Sequence, residues 1–329
     1  MRSSIRLNND LSVSEYIELV QVAEDVGFDQ FWIANDLFLR SAPAIVAALS
    51  GVTSTIELGI GVLNPYTINP AELATFASTM DEISDCRFNL GLAAGASEFL
   101  QWVGLEHGKP LTAIRETVMA IRALQSGRSA SVDGEHLRWS DRSRLGFEAP
   151  RMTPIYLGAT GPKMLELAGE IADGVLPLLP PELYGDVKAH VDRGIRRGTQ
   201  APEAFDFVGS VWVSLDEDPE IARRVLAEKV AYYGQSLGDV ALAHLGLTPQ
   251  DFAAIDTELF GNGDMAAASA MVTDEMLRVG VVGDPGALVE RLRPLVDAGM
   301  AHVSFGPPLG DDRVRAIGLL GERVLPILG

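Results

Sequence analysis

The chain has 329 residues, and 26 basic against 45 acidic side chains give it a formal net charge of −19. This charge repels phosphate backbones and anionic lipids, so we expect neither a nucleic acid nor a membrane as a partner. No apolar run is long enough to span a bilayer, no signal sequence is visible, and the single cysteine, Cys86, excludes an internal disulfide. Together these features predict a cytoplasmic protein.

Short strand-like runs alternate with amphipathic helical runs along most of the chain. We predict strands at residues 4–8, 28–34, 56–62, 87–93, 154–157, 174–178, 207–214 and 302–305. We predict helices at residues 12–26, 43–50, 72–83, 112–124, 162–172, 181–197, 219–233, 285–298 and 311–328. Eight strands of buried composition separated by helices favour a single α/β domain over residues 1–329, a (β/α)8 TIM barrel.

Two segments interrupt this alternation and are interpreted as insertions. Residues 128–150 contain the turn signal Val132-Asp133-Gly134-Glu135, which predicts two short strands. Residues 234–275 look helical and are rich in alanine and methionine; they could cover the active site or pack at a subunit contact. A doubly wound open sheet is the alternative to the barrel. In either fold, chemistry is expected where strands pass into helices.

Glycine-rich junctions are the first candidates for ligand binding. The loop formed by Gly158, Ala159, Thr160 and Gly161 precedes Pro162, so the free N–H groups of the next helix would point at it. It is either a phosphate cradle or a tight turn. The third predicted strand ends in Gly59-Ile60-Gly61-Val62 before Asn64. Glycines in a buried strand indicate either a flat ring packed against the strand end or close packing inside the barrel.

Polar residues at the strand ends are the candidates for chemistry. Asp36 follows the second strand, where it could polarise a substrate or cap a helix. Glu98 follows the small-residue loop Ala93, Ala94 and Gly95, which leaves room for a ligand; Glu98 is either an acid or a carboxylate at a helix start. Arg6 shares one strand face with Asn8 and is a candidate for contact with an anion or a substrate. The five histidines lie at no metal-ligand spacing, so we expect no metal.

In order and spacing, these segments resemble the luciferase-like superfamily, and within it the coenzyme F420-dependent methylenetetrahydromethanopterin reductases. The segments that carry the resemblance are residues 22–28 (VAEDVGF), 64–67 (NPYT), 81–84 (DEIS) with Arg87, 154–165 (PIYLGATGPKML), 168–175 (AGEIADGV), 283–285 (GDP) and 297–299 (DAG). The match runs from about Ile5 to Leu328.

The resemblance implies a barrel with a deazaflavin cofactor at its C-terminal face. It implies a non-prolyl cis peptide between Gly61 and Val62 that supports the ring. It also assigns cofactor contacts to Asn35, Gly61, Val62, Asn64, Ala93, Ala94, Gly95, Gly158, Ala159, Thr160 and Gly161. Homodimers are usual in the family.

Two departures from the family pattern lie where the substrate should bind. Asn35-Asp36 stands where the family often has Asp-His, and Arg6 stands where the reductases carry an acidic residue. Ser84-Asp85-Cys86-Arg87 replaces the usual Ser-Gly-Gly-Arg. The first two departures bear on the methanopterin substrate more than on the cofactor.

The sequence therefore predicts an F420-dependent oxidoreductase that transfers a hydride between a deazaflavin and a small molecule with an electrophilic C=N, C=C or C=O bond. Asp36, Glu98 and Tyr66 are the predicted catalytic residues, and Arg6 and Arg40 the predicted substrate contacts. An FMN-dependent monooxygenase is the alternative, because the superfamily uses both cofactors at one site. A flavin-binding protein without catalysis is a third interpretation.

Overall fold

The structure is a computed structural model that describes residues 1–198 and 202–329, except for the side chains of Glu98 and Pro202. Its strands are β1 (Arg2–Leu7), β2 (Gln30–Ile33), β3 (Glu57–Leu63), β4 (Phe88–Leu92), β5 (Val132–Asp133), β6 (Arg138–Trp139), β7 (Ile155–Leu157), β8 (Gly174–Val175), β9 (Asp206–Leu215), β10 (Val281–Gly283) and β11 (His302–Leu309). In these ranges eight parallel strands, β1–β4, β7–β9 and β11, form a closed barrel. The predicted TIM barrel is confirmed.

The open-sheet alternative is wrong because the sheet has no break between its first and last barrel strands. Strand β8 pairs with β9, β9 with β11, and β11 with β1, all in parallel. The eight predicted strands correspond to the eight barrel strands. The sequence reasoning missed β10, which pairs with the far end of β9 outside the closed ring.

The helices lie between the strands and cover the barrel. They are α1 (Val13–Val26), α2 (Ala42–Ser50), α3 (Pro70–Ile83), α4 (Ser97–Trp102), α5 (Pro110–Gln125), α6 (Pro162–Ile171), α7 (Tyr184–Ile195), α8 (Pro219–Tyr233), α9 (Asp239–Leu245), α10 (Ala253–Asp256), α11 (Met265–Ala270), α12 (Asp274–Leu277), α13 (Pro285–Asp297), α14 (Arg313–Leu319) and α15 (Leu325–Leu328). Within the described residues no helix is long and apolar enough to cross a membrane.

The helix boundaries follow local sequence signals. Ser12 and Glu15 form a reciprocal capping box at the start of α1, and Gly27 ends that helix at a left-handed φ of 94°. Prolines occupy the first turn of several other helices. The last predicted helix, 311–328, is instead interrupted by a π-helical segment, Leu320–Val324.

Side chains alternate between the helical layer and the barrel interior. On β1, Ile5 and Leu7 belong to the apolar core, whereas the Ser4 hydroxyl meets His302 Nε2 inside the barrel at 2.9 Å. The fully buried ring of Trp32 fills the barrel centre. A Cβ on Gly59 would lie 2.3 Å from that ring, so Gly59 is a packing glycine.

The two segments that break the alternation have structures of their own. In residues 128–150, β5 and β6 form an antiparallel hairpin. In residues 234–275, short helices α9–α12 surround Leu242 and Phe252, which pack with Leu226 and Val230 of α8 in a second apolar cluster. This second segment therefore lies against the last helix before it.

Candidate active site

Asp36 lies on the loop after β2, at the carboxyl end of the barrel strands. The fully buried side chain of Asn9 holds this loop at two points. Its Nδ2 donates to the backbone oxygens of Asp36 at 3.0 Å and Arg40 at 2.6 Å, and its Oδ1 accepts from the Asp36 N–H at 3.1 Å. The helix-capping interpretation of Asp36 is wrong, because Ser41 caps α2. The carboxylate of Asp36 is therefore available to the barrel mouth.

The Asp36 carboxylate belongs to a short hydrogen-bond chain. Tyr233 donates its hydroxyl to Asp36 Oδ2 at 3.3 Å and accepts from Asn8 Nδ2 at 2.8 Å. Burial raises the pKa of Asp36 above its usual range, although the charge of Lys229 and the Tyr233 hydroxyl act in the opposite direction. A carboxyl group with a raised pKa holds its proton at higher pH, as a general acid must.

Lys229 on α8 is a site residue that the sequence reasoning missed. Its Nζ lies 3.7 Å from the ring centre of Tyr233 and 5.4 Å from that of Trp212. Burial lowers the pKa of Lys229 to about 7, and the charge of Arg6 adds to this effect, while Asp36 opposes it. The helical spacing could have identified this residue. Lys229 follows the buried Leu226 by three residues, which places the lysine on the apolar face of α8.

A cavity of about 200 Å³ adjoins Asp36 at the ends of β2, β3 and β4. It is lined by Ala34, Asn35, Asp36, Leu37, Gly61, Val62, Asn64, Gly95, Ala96, Phe99 and Leu100. The structure thus brings together six residues that the sequence reasoning selected from three separate junctions. The peptide bond between Gly61 and Val62 is cis, as the resemblance implies.

Asn64 shapes one wall of this cavity. Its Oδ1 accepts from the N–H groups of Tyr66 at 3.1 Å and Thr67 at 2.9 Å, which fixes the turn after β3. Its amide faces Gly95, where an added Cβ would lie 3.5 Å from Asn64 Nδ2. Gly95 has a φ of 76°, so a glycine suits both the backbone and the space.

The loop before α6 lies beside the same cavity wall. A Cβ on Gly158 would lie 3.1 Å from Val62 Cγ1 and 3.2 Å from the Ala93 Cβ, so the three residues meet. Gly161 occupies the N-cap of α6 and offers no side chain to the N–H groups of the first turn. This end of α6 can therefore bind an anion. Between the two glycines, Ala159 is buried and Thr160 is half-buried; Ala94 packs against the core.

A second cavity of about 320 Å³ opens on the other side of Asp36. Aromatic side chains form its walls: Phe38, Phe99, Trp102, Tyr232, Tyr233 and Phe260. Phe260 comes from the segment 234–275, which therefore contributes to the barrel mouth. Asp36, Leu37 and Phe99 line both cavities, so the two spaces adjoin at the carboxyl group.

The remaining predicted residues lie around this centre. Arg6 is buried at the barrel mouth, with 8% of its surface exposed, and Arg40 is exposed at the rim, where its Nη1 donates to the Asp10 oxygen at 2.5 Å. The Tyr66 ring packs between two histidines, with its hydroxyl buried. Its catalytic role stays a prediction. Glu98 is in the first turn of α4, and its side chain lies outside the described residues.

Comparisons with known proteins show the family to which the chain belongs. A model of the family described as luciferase-like monooxygenase matches residues 2–302. The chain belongs to the luciferase-like family. The 5,10-methylenetetrahydromethanopterin reductase of Archaeoglobus fulgidus is 35% identical over the full length of both chains. An F420-dependent glucose-6-phosphate dehydrogenase of Nakamurella multipartita is 29% identical, covering 96% of this chain and 92% of the relative.

Solved structures of the luciferase-like family share the fold over the whole chain. The coenzyme F420-dependent tetrahydromethanopterin reductase of Methanopyrus kandleri superposes with a TM-score of 0.90 at 28% identity, covering 100% of this chain and 99% of that one. The predicted resemblance is confirmed.

Within the described ranges, no group of three or more histidine, cysteine, aspartate or glutamate side chains could hold a metal ion.

Proposed function

We propose that this protein is an F420-dependent oxidoreductase that transfers a hydride between the deazaflavin and an electrophilic C=N, C=C or C=O bond. The observation that carries the proposal is full-length similarity to F420-dependent reductases, combined with a cavity at the cis Gly61–Val62 bond beside Asp36. This similarity supports the choice of F420 over FMN.

The residues around the first cavity fit a flat cofactor with an anionic tail. Gly61 and Gly95 leave the space over the strand ends open, and a side chain on Gly158 would enter the contact between Val62 and Ala93. The uncapped first turn of α6 provides N–H groups for a phosphate. The ring would then lie against Val62 and Asn64, and its tail would extend toward Gly161.

Asp36 is the residue best placed to serve the substrate. When bound, a reduced deazaflavin supplies two electrons as hydride to the substrate carbon, and the reduced bond also needs one proton. Asp36 lines both cavities, and its raised pKa favours the protonated acid that can deliver this proton. Tyr233 and Asn8 fix the orientation of the carboxyl group.

The substrate enters, on this proposal, through the aromatic second cavity. Arg40, exposed on the loop after β2, and Arg6, buried near the end of β1, remain the proposed substrate contacts. The aromatic walls, from Phe38 to Phe260, offer an apolar surface against which the uncharged part of a substrate can pack beside Asp36.

Fluorescence-quenching titration of the purified apoprotein with coenzyme F420 and, separately, FMN tests the proposal. We expect micromolar or tighter binding of F420 and weak binding of FMN. The reverse preference would favour a flavin monooxygenase, which an oxygen-uptake assay with reduced FMN would identify. Failure to bind either compound would refute the proposed cofactor site.

A further inference from the structure

Arg6 is a buried guanidinium with no hydrogen-bond partner in the part of the chain that the structure describes. It is 8% exposed, and it forms no hydrogen bond or ion pair with any residue in the described part of the chain. By contrast, the half-buried Arg87 donates hydrogen bonds to Thr53 Oγ1 and to three backbone oxygens. A buried charge without compensating contacts is costly, so such a group at the end of a barrel strand points to a ligand that the protein itself does not supply.

The fold makes room for the guanidinium at the barrel mouth. Arg6 is on the interior face of β1, and a Cβ on Gly306 of β11 would lie 3.1 Å from Arg6 Nη2. The small residue on the neighbouring strand therefore accommodates the arginine head. The carboxylate of Asp36 attracts Arg6 electrostatically, but the two side chains form no contact ion pair.

Lys229 is a second cationic side chain that forms no salt bridge with any described residue. Its ammonium packs over the Tyr233 ring. Arg6 and Lys229 repel each other, since the charge of Arg6 lowers the pKa of Lys229. A protein with a net charge of −19 thus has, near the mouth of its barrel, two cationic side chains that form no salt bridge with any described residue.

We propose that Arg6 and Lys229 form an anchoring site for an oxyanion, a carboxylate or a phosphate, carried by the substrate. An anion between the two cations would relieve their repulsion and satisfy N–H donors of the guanidinium. This inference rests on the proposed function only in taking the barrel mouth as the substrate site. It predicts that the substrate is a small molecule with a carboxylate or a phosphate group.

Anchoring would also act on the proton of Asp36. The charged groups that face Asp36 are Lys229, Arg6 and Asp10, with the Tyr233 hydroxyl in contact. The two cations favour the ionised carboxylate, and a bound anion would cancel this effect. Substrate binding therefore raises the pKa of Asp36 further and keeps its proton in place for transfer.

Binding of simple aryl anions to the full-length protein tests the anchoring site. Benzoate, phenyl phosphate and the neutral benzamide would be titrated at about pH 7 by calorimetry, with wild type, Arg6→Met, Arg6→Lys and Lys229→Met. We expect at least one anion to bind and benzamide not to bind. Arg6→Met should weaken anion binding at least about tenfold, and Arg6→Lys and Lys229→Met should weaken it less. The exposed Arg144→Met is the matched control and should change nothing.

The outcomes separate the anchoring site from the proposed function. Tighter binding of phenyl phosphate identifies a phosphate substrate, and tighter binding of benzoate a carboxylate. If neither anion binds, or if Arg6→Met binds the anions as wild type does, the anchoring site is refuted. Should Arg6→Met not fold, Arg6→Lys and Lys229→Met decide the question. The F420 titration uses the wild-type protein and none of these variants. Failure of the wild-type protein to bind F420 would therefore contradict the proposed cofactor but not the anchoring site.

Discussion

Replacing Lys229 with methionine should stabilise the protein, and the gain should depend on pH. Methionine keeps most of the apolar stem that packs against Tyr233 and Trp212 but removes the ammonium group. Burial disfavours that charge, and it lowers the pKa of Lys229 from 10.5 to about 7. The native state therefore binds this proton less tightly than the unfolded chain does.

The size and pH range of the effect follow from these two values. Between about pH 7 and 10.5, the Lys229 ammonium group changes the unfolding free energy by about 1.4 kcal/mol per pH unit. Burying the protonated lysine therefore costs at most about 5 kcal/mol of stability. Below pH 7 both states are protonated and the full cost is present. Above 10.5 both are neutral and the cost disappears. Loss of the attraction between Lys229 and Asp36 offsets part of the gain at low pH.

Urea unfolding of wild type and Lys229→Met at about pH 6, 8 and 10 would measure the difference in unfolding free energy. We expect the variant to be more stable at pH 6, with an advantage that shrinks as the pH rises. Lys163→Met, at an exposed position on α6, is the matched control for a lysine-to-methionine change. An equal difference between wild type and Lys229→Met at all three pH values would refute the buried-charge reasoning.

Three further predictions concern catalysis, cofactor binding and stability. Asp36→Asn should keep F420 binding but lose about 10²–10⁴-fold in turnover, and full turnover with an unchanged pH profile would exclude Asp36 as an acid. Gly158→Val should weaken F420 binding in a quenching titration because its side chain would strike Val62. Gly51→Ala should not, because Gly51 follows α2 and an added Cβ there would lie at an ordinary contact distance, 3.7 Å, from the Ala48 oxygen. Burial opposes ionisation of Glu24, but N–H groups of residues 54–56 overcome this and lower its pKa to about 2. Glu24→Gln should thus cost about 2 kcal/mol at pH 7, and this loss should vanish as wild type is titrated from pH 4.5 to 2.

The barrel could be predicted because its strands are specified locally. Alternation of the kind seen in Ile56, Leu58 and Ile60, ended by Asn64-Pro65, marks a strand and the place where it stops. The same local signals placed Gly61 and Asn64 at a strand end. The carboxyl ends of parallel strands all lie at one face of a barrel, so residues that follow different strands must come close together there.

The site residues that the sequence reasoning missed are far along the chain from the residues with which they interact. Lys229 and Tyr233 are nearly two hundred positions from Asp36. The packing of α8 beside the barrel mouth brings Tyr233 into contact with Asp36 and brings Lys229 close enough for the two charges to interact. The aromatic walls were missed for the same reason. Phe38 and Phe260 look like ordinary apolar residues in the sequence, and their shared cavity depends on how the segment 234–275 folds back.

Arg6 shows where sequence reasoning stops and where structure adds information. The alternation on β1 predicted that Arg6 and Asn8 share a face, but not that Arg6 would form no contact ion pair with any carboxylate among the described residues. Net charge misleads in the same way. A value of −19 governs encounters with large polyanions at the surface, where salt screens charges over about 8 Å. At the barrel mouth, Arg6 and Lys229 are two local positive groups that the net charge of the whole chain does not reveal. The charge that excludes nucleic acid is therefore compatible with a small acidic substrate.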